Sequence, residues 1–144
     1  MTPGALSLIF QPDQKKLSIK VESAWGAIIT PQQIADALKK VSKPKLVAVV
    51  RAETSTGALT PVEEISRLAH RADALFLLDT VTSLGGCPVR IDDWSVDAVY
   101  SGAQKCVSCP PGLSPVSLSP RALEVATLRK TKVQSWYLEH RADG

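Results

Sequence analysis

Cysteines and aromatic residues are scarce in this sequence. Of its 144 residues, three are cysteine and 5% are aromatic. Three cysteines leave one unpaired in any disulfide scheme, and a chain of this size needs no disulfide to hold a core. The scarcity argues against a disulfide-rich secreted fold and predicts reduced thiols, as in the cytoplasm.

Long apolar stretches are also missing. The longest apolar runs, at 46–50 and 74–78, are far shorter than the roughly 20 residues of a membrane-spanning helix. The N-terminus lacks the charged region followed by an apolar region that marks a secretory signal. We therefore expect a cytoplasmic protein without a membrane partner.

Charge of neither sign dominates. The chain has 17 Lys plus Arg and 14 Asp plus Glu, for a formal net charge of +3. The basic residues are scattered and are not interleaved with aromatics, so the pattern of a nucleic-acid-binding surface is missing. With 44% hydrophobic and 22% charged residues, the composition indicates an ordinary globular domain or part of one.

Three pairs of a hydroxyl residue and a proline predict where helices begin. A serine or threonine is favoured at the N-cap, and proline fits the first helical position that follows. The pairs are Thr30-Pro31, Thr60-Pro61 and Ser119-Pro120. Gln33 and Glu63 follow the first two pairs at a position where their side chains can reach back and close a capping box.

Short apolar runs alternate with the predicted helices and predict strands of one sheet. They lie at 45–50, 74–79, 97–100 and 113–118. The strand, helix, strand order of the first two runs is a βαβ unit, and the unbroken apolar run at 74–79 is typical of a parallel strand covered on both faces. The fold class is therefore α/β, with a mainly parallel sheet.

Polar residues follow three of these predicted strands, at 53–57, 79–81 and 101–105. In open α/β sheets, ligands bind beyond the carboxyl ends of the strands, so these segments are expected to meet at one site. On the residues alone two interpretations stay open, because Asp79 could simply cap its strand and Lys105 could be a solvated surface lysine.

Longer motifs bear on this choice through a resemblance to a known family. Three segments carry them: Leu78-Asp79-Thr80-Val81-Thr82-Ser83-Leu84-Gly85-Gly86, Tyr100-Ser101-Gly102-Ala103-Gln104-Lys105 and Pro110-Pro111-Gly112-Leu113. Together they resemble the cofactor-binding core of class V aminotransferases of the alanine–glyoxylate and serine–pyruvate type, which depend on pyridoxal phosphate. Residues 21–26, 53–57 and 135–138 also resemble this family. The resemblance implies the large-domain sheet of the aspartate-aminotransferase-like transferases of fold type I.

The resemblance also implies a role for each site residue. Lys105 would form the internal Schiff base with the cofactor aldehyde, a role that requires a neutral amine, and would later move the substrate proton. Asp79 would pair with the pyridine nitrogen, so that the ring can accept electrons. Thr54 would place a hydroxyl against the cofactor, Val81 would pack on a ring face, and Gln104 would lie near the phosphate. No metal ligand is expected.

The expected reaction is transamination between a small amino acid, alanine or serine, and a small 2-oxo acid, glyoxylate or pyruvate. Cysteine desulfurases resemble this family but place histidine directly before the lysine. Because Gln104 occupies that position here, transamination is favoured over desulfuration. The resemblance further implies a homodimer and no nucleic-acid partner.

Residues 1–144 are expected to be the central part of the cofactor-binding large domain, without its N-terminal flank and without the C-terminal small domain. Two alternatives stay open. The first is a non-catalytic remnant of such an enzyme. The second is a small redox or metal-binding protein that uses Cys106 and Cys109, although no second cysteine pair exists and both histidines, His70 and His140, lie far away in sequence.

Overall fold

The structure, a computed structural model, describes residues 6–10 and 18–130, with side chains described from residue 19 onward. The Ser135-Trp136-Tyr137-Leu138 segment and His140 lie outside the described residues. The helices are α1 (Pro31–Leu38), α2 (Val62–Arg71) and α3 (Pro120–Thr127). The strands are β1 (Leu6–Phe10), β2 (Ser18–Glu22), β3 (Leu46–Val50), β4 (Leu75–Asp79), β5 (Ala98–Tyr100) and β6 (Val116–Leu118). None of the helices within this part of the chain is long and apolar enough to cross a membrane.

The strands form one sheet in the order β2-β1-β3-β4-β5-β6. The three central strands, β3, β4 and β5, run parallel, and the strands on either side of them pair antiparallel. Val50 pairs with Asp79, and Asp79 pairs with Tyr100, so the three parallel strands end side by side. The predicted α/β class and mainly parallel sheet are confirmed, and the carboxyl ends of the strands form one edge.

Two of the three predicted helix starts are confirmed. Thr30 caps α1, and the capping box with Gln33 is closed, because the Thr30 N–H donates to the Gln33 side chain at 2.8 Å. Ser119 caps α3, where its hydroxyl accepts a hydrogen bond from the N–H of Ala122 at 3.1 Å. In both cases the cap depends only on residues at the helix start, and no tertiary contact displaces the capping side chain.

The predicted cap of α2 is wrong. The N-cap is Pro61 and has no side-chain cap, while Glu63 pairs with Arg67 one turn later instead of reaching back. Thr60 is held by its backbone: its N–H donates to the carbonyl of Arg51 at 2.9 Å, and its own carbonyl accepts from the Arg51 guanidinium. This contact fixes Thr60 outside the helix, and the helix starts one residue later than predicted.

The core lies between the sheet and the first two helices. Val47 and Phe76 from the central strands and Ile34 and Ile65 from the helices are all fully buried and belong to one cluster. Buried and half-buried residues alternate along β3 and β4, as on a strand whose two faces differ. The unbroken apolar run at 74–79 predicted a strand buried on both faces, but one face of β4 is only half-buried.

The β1–β2 hairpin was not predicted from the sequence. It adds two strands to the sheet beyond β3. In β2, Val21 is buried while Lys20 and Glu22 are exposed and form an ion pair. Such alternation of polar and apolar residues has the two-residue period of a strand with one buried face.

A buried carboxylate fastens the opposite edge of the sheet, where β5 begins. Asp97 accepts hydrogen bonds from the Phe76 N–H at 2.8 Å, the Ser119 hydroxyl at 3.0 Å and the Arg121 guanidinium at 3.0 Å. The imidazole Nε2 of His70 lies 2.8 Å from Oδ2 of Asp97. Because its partners come from α2, β4 and α3, Asp97 ties these elements to β5, and its charge is compensated as burial requires.

Candidate functional site

Three loops meet at the carboxyl edge of the parallel strands. Backbone hydrogen bonds continue past the strand ends, since Arg51 N–H donates to Asp79 and Thr80 N–H donates to Tyr100, both at 2.9 Å. The Thr80 hydroxyl also donates to the Tyr100 carbonyl at 2.8 Å, and the Ser101 hydroxyl donates to the Thr80 carbonyl at 3.1 Å. Thr80 and Ser101 are buried, so the loop starts after β4 and β5 are firmly joined.

Asp79, the last residue of β4, has a hydrogen-bond donor on each carboxylate oxygen. The Val81 N–H donates to Oδ1 at 2.9 Å, and the Tyr100 hydroxyl donates to Oδ2 at 2.5 Å. A carboxylate offers about four lone-pair positions, so the two donors leave capacity for another N–H group. The side chain is only half-buried, and a ligand at this edge can therefore reach it.

Tyr100 is the neutral partner in this contact. Burial, followed by the hydrogen bond to the Asp79 carboxylate and the charge of that carboxylate, raises the pKa of the Tyr100 hydroxyl to about 12. All three effects disfavour the phenolate. The hydroxyl therefore keeps its proton at neutral pH and remains a hydrogen-bond donor to Asp79.

Thr54 lies in the turn after β3 and contacts the loop after β4. Its hydroxyl lies 2.5 Å from the hydroxyl of Thr82. The turn closes because the N–H of Gly57, whose φ of 72° favours glycine, donates to the Glu53 carbonyl at 2.8 Å. Val81, next to Thr82, is half-buried at the same edge.

Gln104 and Lys105 lie in the loop after β5, and both are exposed. Among residues 19–130, nothing accepts a hydrogen bond from or forms an ion pair with the Lys105 ammonium group. The Gln104 amide folds back towards the chain, because a Cβ at Gly102 would lie 2.6 Å from its oxygen. The base of the loop is secured by buried Ala103, whose N–H donates to the Leu113 carbonyl at 3.1 Å.

Two glycines allow the loop after β5 to approach the loop after β4. The Cys106 thiol donates to the Thr82 carbonyl at 3.0 Å. A Cβ at Gly86 would lie 2.5 Å from the Cys106 sulfur, and one at Gly85 would lie 3.3 Å from the Cys106 carbonyl oxygen. Gly85 also has a φ of 85°, which other residues rarely adopt. The glycine pair thus sets the position of the loop that carries Lys105.

The structure brings together some of the residues named from the sequence. Asp79 and Val81 share a hydrogen bond, and Thr54 joins their loop through Thr82. Gln104 and Lys105 lie on the adjoining loop, and both residues are exposed. The chemistry of this set fits pyridoxal phosphate, because it offers a carboxylate with spare acceptor capacity for a ring nitrogen and an unengaged amine for an aldehyde.

Sequence reasoning missed the contacts of Tyr100 and Thr82. Tyr100 appeared only within a motif, and Thr82 had no role of its own. A usable signal existed for Tyr100, since parallel strands that end at Asp79 and Tyr100 place the two side by side. The approach of the Thr54 turn to Thr82 depends on loop conformation, for which the sequence carries no comparable signal.

The cysteines were a second candidate centre. All three, Cys87, Cys106 and Cys109, are free thiols. Cys109 donates to the carbonyl of Val107, only two residues away. Within the described part of the chain, no group of three or more His, Cys, Asp and Glu side chains is arranged to hold a metal ion. The redox or metal-binding alternative gains no support from these positions.

Comparison with known proteins shows the family of the chain. The family model of the class V aminotransferases matches residues 13–140. The (S)-ureidoglycine–glyoxylate transaminase of Bacillus subtilis is 43% identical over 110 residues, which are 76% of this chain and 26% of that protein.

Two solved structures show the same arrangement of the chain. An alanine–glyoxylate aminotransferase from Nostoc sp. has a TM-score of 0.76 and 44% identity, over 81% of this chain and 31% of that one. An aspartate aminotransferase of subgroup IV from Thermus thermophilus has a TM-score of 0.67 and 35% identity, over 81% and 31% respectively. The chain thus spans 26 to 31% of the length of these similar proteins.

Proposed function

Because this chain belongs to the class V aminotransferases, a family of enzymes that depend on pyridoxal phosphate, we propose that it carries the part of a transaminase active site that holds this cofactor. The observation that carries the proposal is the meeting of two loops at one edge of the sheet. One loop follows the Asp79 carboxylate and the other bears Lys105, and the Cys106 thiol joins them.

The proposed reaction transfers the amino group of a small amino acid, alanine or serine, to a small 2-oxo acid, glyoxylate or pyruvate. Support comes from relatives whose names specify glyoxylate as a substrate, the ureidoglycine–glyoxylate and alanine–glyoxylate enzymes. Glutamine before the lysine supports transamination over desulfuration. For the assembled enzyme we propose a homodimer, as the family resemblance implies.

In this proposal each residue acts at a stated atom. When bound, pyridoxal phosphate supplies an electrophilic aldehyde and a ring that withdraws electrons from the substrate carbon. Lys105 would hold the cofactor through its side-chain amine. The same amine, once free, would accept the proton from the substrate α-carbon. The Asp79 carboxylate would accept a hydrogen bond from the ring N–H and so favour the protonated nitrogen.

The remaining residues bind and orient. The half-buried Val81 side chain provides an apolar contact for one ring face, and the Thr54 hydroxyl, held near Thr82, provides a polar contact. Gln104 carries an amide that donates hydrogen bonds to phosphate oxygens. These groups lie on three separate loops, so bound cofactor would join all three.

Chemical labelling tests the proposal. The chain is incubated with pyridoxal phosphate and reduced with borohydride, and tandem mass spectrometry locates the phosphopyridoxyl group. We expect it on Lys105 at stoichiometric cofactor, and not on Lys43, another exposed lysine that serves as the internal control. Equal labelling of the two lysines would contradict a specific role for Lys105. It would leave the non-catalytic alternative as the better account.

A further inference from the structure

We propose that Tyr100 is a positioning residue of this site: its hydroxyl orients the Asp79 carboxylate that receives the cofactor ring nitrogen. The inference rests on the proposed function and adds to it a residue that was given no role from the sequence. Three features of the structure carry it: the strand register with the buried residues behind it, the two donors on Asp79 and the persistence of the Tyr100 hydroxyl as a donor.

The strand register sets the distance between the two residues. Asp79 is the last residue of β4, Tyr100 is the last residue of β5, and they are paired in the parallel ladder. Buried Thr80 and Ser101 cross-link the chain directly behind both residues. The contact joins residues of two paired strands, and its geometry is therefore more constant than that of a contact between residues of free loops.

The second feature is how the carboxylate is held. The last torsion of an aspartate side chain is broad, so one donor leaves the group able to turn. Here the Val81 N–H and the Tyr100 hydroxyl hold one oxygen each. With both oxygens fixed, the remaining lone pairs keep constant directions, and a ring N–H meets an acceptor that is already in place. Without the hydroxyl, only the Val81 N–H would restrain it.

The third feature is that the Tyr100 hydroxyl keeps its proton and so remains a hydrogen-bond donor. Burial and the neighbouring carboxylate raise the pKa of Tyr100 to about 12. The phenol therefore stays protonated far above neutral pH, and it never adds a second negative charge beside Asp79. A phenylalanine at this position would keep the ring and remove only the donor.

The first test uses the whole chain without cofactor. Phenolate absorbance is measured at about pH 10.5, where an ordinary tyrosine with a pKa of about 10 is mostly ionised. The chain has two tyrosines, so the spectrum of Tyr100→Phe subtracted from that of the wild type isolates Tyr100. Circular dichroism at the same pH verifies that the chain stays folded.

We expect a larger fraction of Tyr100 to be ionised in the Asp79→Asn background than in the wild type, because the substitution removes the carboxylate charge while the burial that also raises the pKa of Tyr100 remains. In that background its signal is isolated by subtracting the double variant Asp79→Asn/Tyr100→Phe. The same extent of ionisation with and without the Asp79 charge would overturn the proposal, because the hydroxyl would then not be engaged with the carboxylate.

The second test measures the dissociation constant of pyridoxal phosphate by absorbance titration. Tyr100→Phe removes one of two restraints on the carboxylate and no bond to the cofactor itself, so we expect about fivefold to tenfold weaker binding, less than the full value of a hydrogen bond to a charged group. Asp93→Asn, at an exposed pair with Arg90 that precedes β5, is the control and should leave the constant unchanged. If the wild type binds the cofactor and Tyr100→Phe has the same dissociation constant, the role of Tyr100 is overturned and the proposed function is not. A wild-type chain that binds no cofactor overturns the proposed function and, with it, this role.

Discussion

The Cys106 thiol donates a hydrogen bond to the carbonyl oxygen of Thr82 at 3.0 Å. The sulfur lies so close to Gly86 that a Cβ there would be 2.5 Å from it. The hydrogen bond joins the loop that bears Lys105 to the loop that follows Asp79. The proposed function depends on that junction, since the amine and the carboxylate serve one cofactor only if their loops stay together.

Replacing Gly86 with alanine tests the junction. The new Cβ would lie 2.5 Å from the Cys106 sulfur, so either the thiol must turn away from the Thr82 carbonyl or the two loops must separate. We expect a loss of about 1–3 kcal/mol in the free energy of unfolding, as for other overpacked sites. Borohydride-dependent labelling of Lys105 should fall as well. Urea denaturation and mass spectrometry measure the two effects.

A second substitution serves as the control for this steric explanation. Cys106→Ala removes the sulfur, so in the double variant Gly86→Ala/Cys106→Ala part of the lost stability should return. The recovery is expected to be incomplete, because the Cys106 Cβ would still be 3.0 Å from the new methyl group. Strictly additive effects of the two substitutions would show that the sulfur is not the obstacle.

Asp97 is predicted to be the most sensitive carboxylate for stability. Asp97→Asn leaves the Arg121 guanidinium without its buried partner and weakens three other contacts. A loss of about 2–4 kcal/mol is expected, since a buried amide cannot satisfy the donors that the Asp97 carboxylate now satisfies, one of which is a charged guanidinium. Asp93→Asn, at an exposed pair with Arg90, should have no measurable effect in the same denaturation assay. Similar losses in both variants would refute this assignment.

Alkaline stability should depend on Tyr100. Its pKa is raised to about 12 in the folded chain from an ordinary value of about 10. A raised pKa contributes stability that is complete below about pH 10 and is lost as the pH rises towards about 12. Wild-type stability should therefore fall more steeply above pH 10 than that of Tyr100→Phe. Urea denaturation at several pH values measures both slopes, and parallel slopes would contradict the shift.

Because of the capping box of α1, alanine substitutions of two adjacent glutamines are predicted to differ in their cost in stability. Gln33→Ala removes the side chain that accepts from the Thr30 N–H and should cost about 0.5–1 kcal/mol. Gln32→Ala, one residue earlier, removes only an exposed contact with Asp36 and should be nearly neutral. Thermal unfolding of the two variants measures the difference, and equal melting temperatures would argue against the box.

Local signals in the sequence predicted much of the fold. Thr30 and Ser119 cap their helices as expected, because a cap depends on neighbours within four residues. Thr60 has the same signal and does not cap, because Arg51, the residue after β3, holds its backbone. The β1–β2 hairpin went unpredicted. β2 carries the two-residue alternation of a strand, but the pairing of β1 with β3 joins distant parts of the chain and is not contained in a local pattern.

The candidate site divides in the same way. Asp79 and Lys105 were located from strand ends and from the family resemblance, and both lie at the carboxyl edge of the sheet. The contact of Tyr100 with Asp79 requires the register of β4 against β5, and that of Cys106 with Thr82 requires two loop conformations. Both of these are properties of the folded chain.

The most direct test of the central claim is the near-visible absorbance of the chain titrated with pyridoxal phosphate, in the wild type and in Lys105→Ala. The account predicts a saturable, borohydride-sensitive band in the wild type, its absence in Lys105→Ala, and its retention in Lys43→Ala. A band of equal strength in Lys105→Ala would contradict the account, because the cofactor would then be held by another amine.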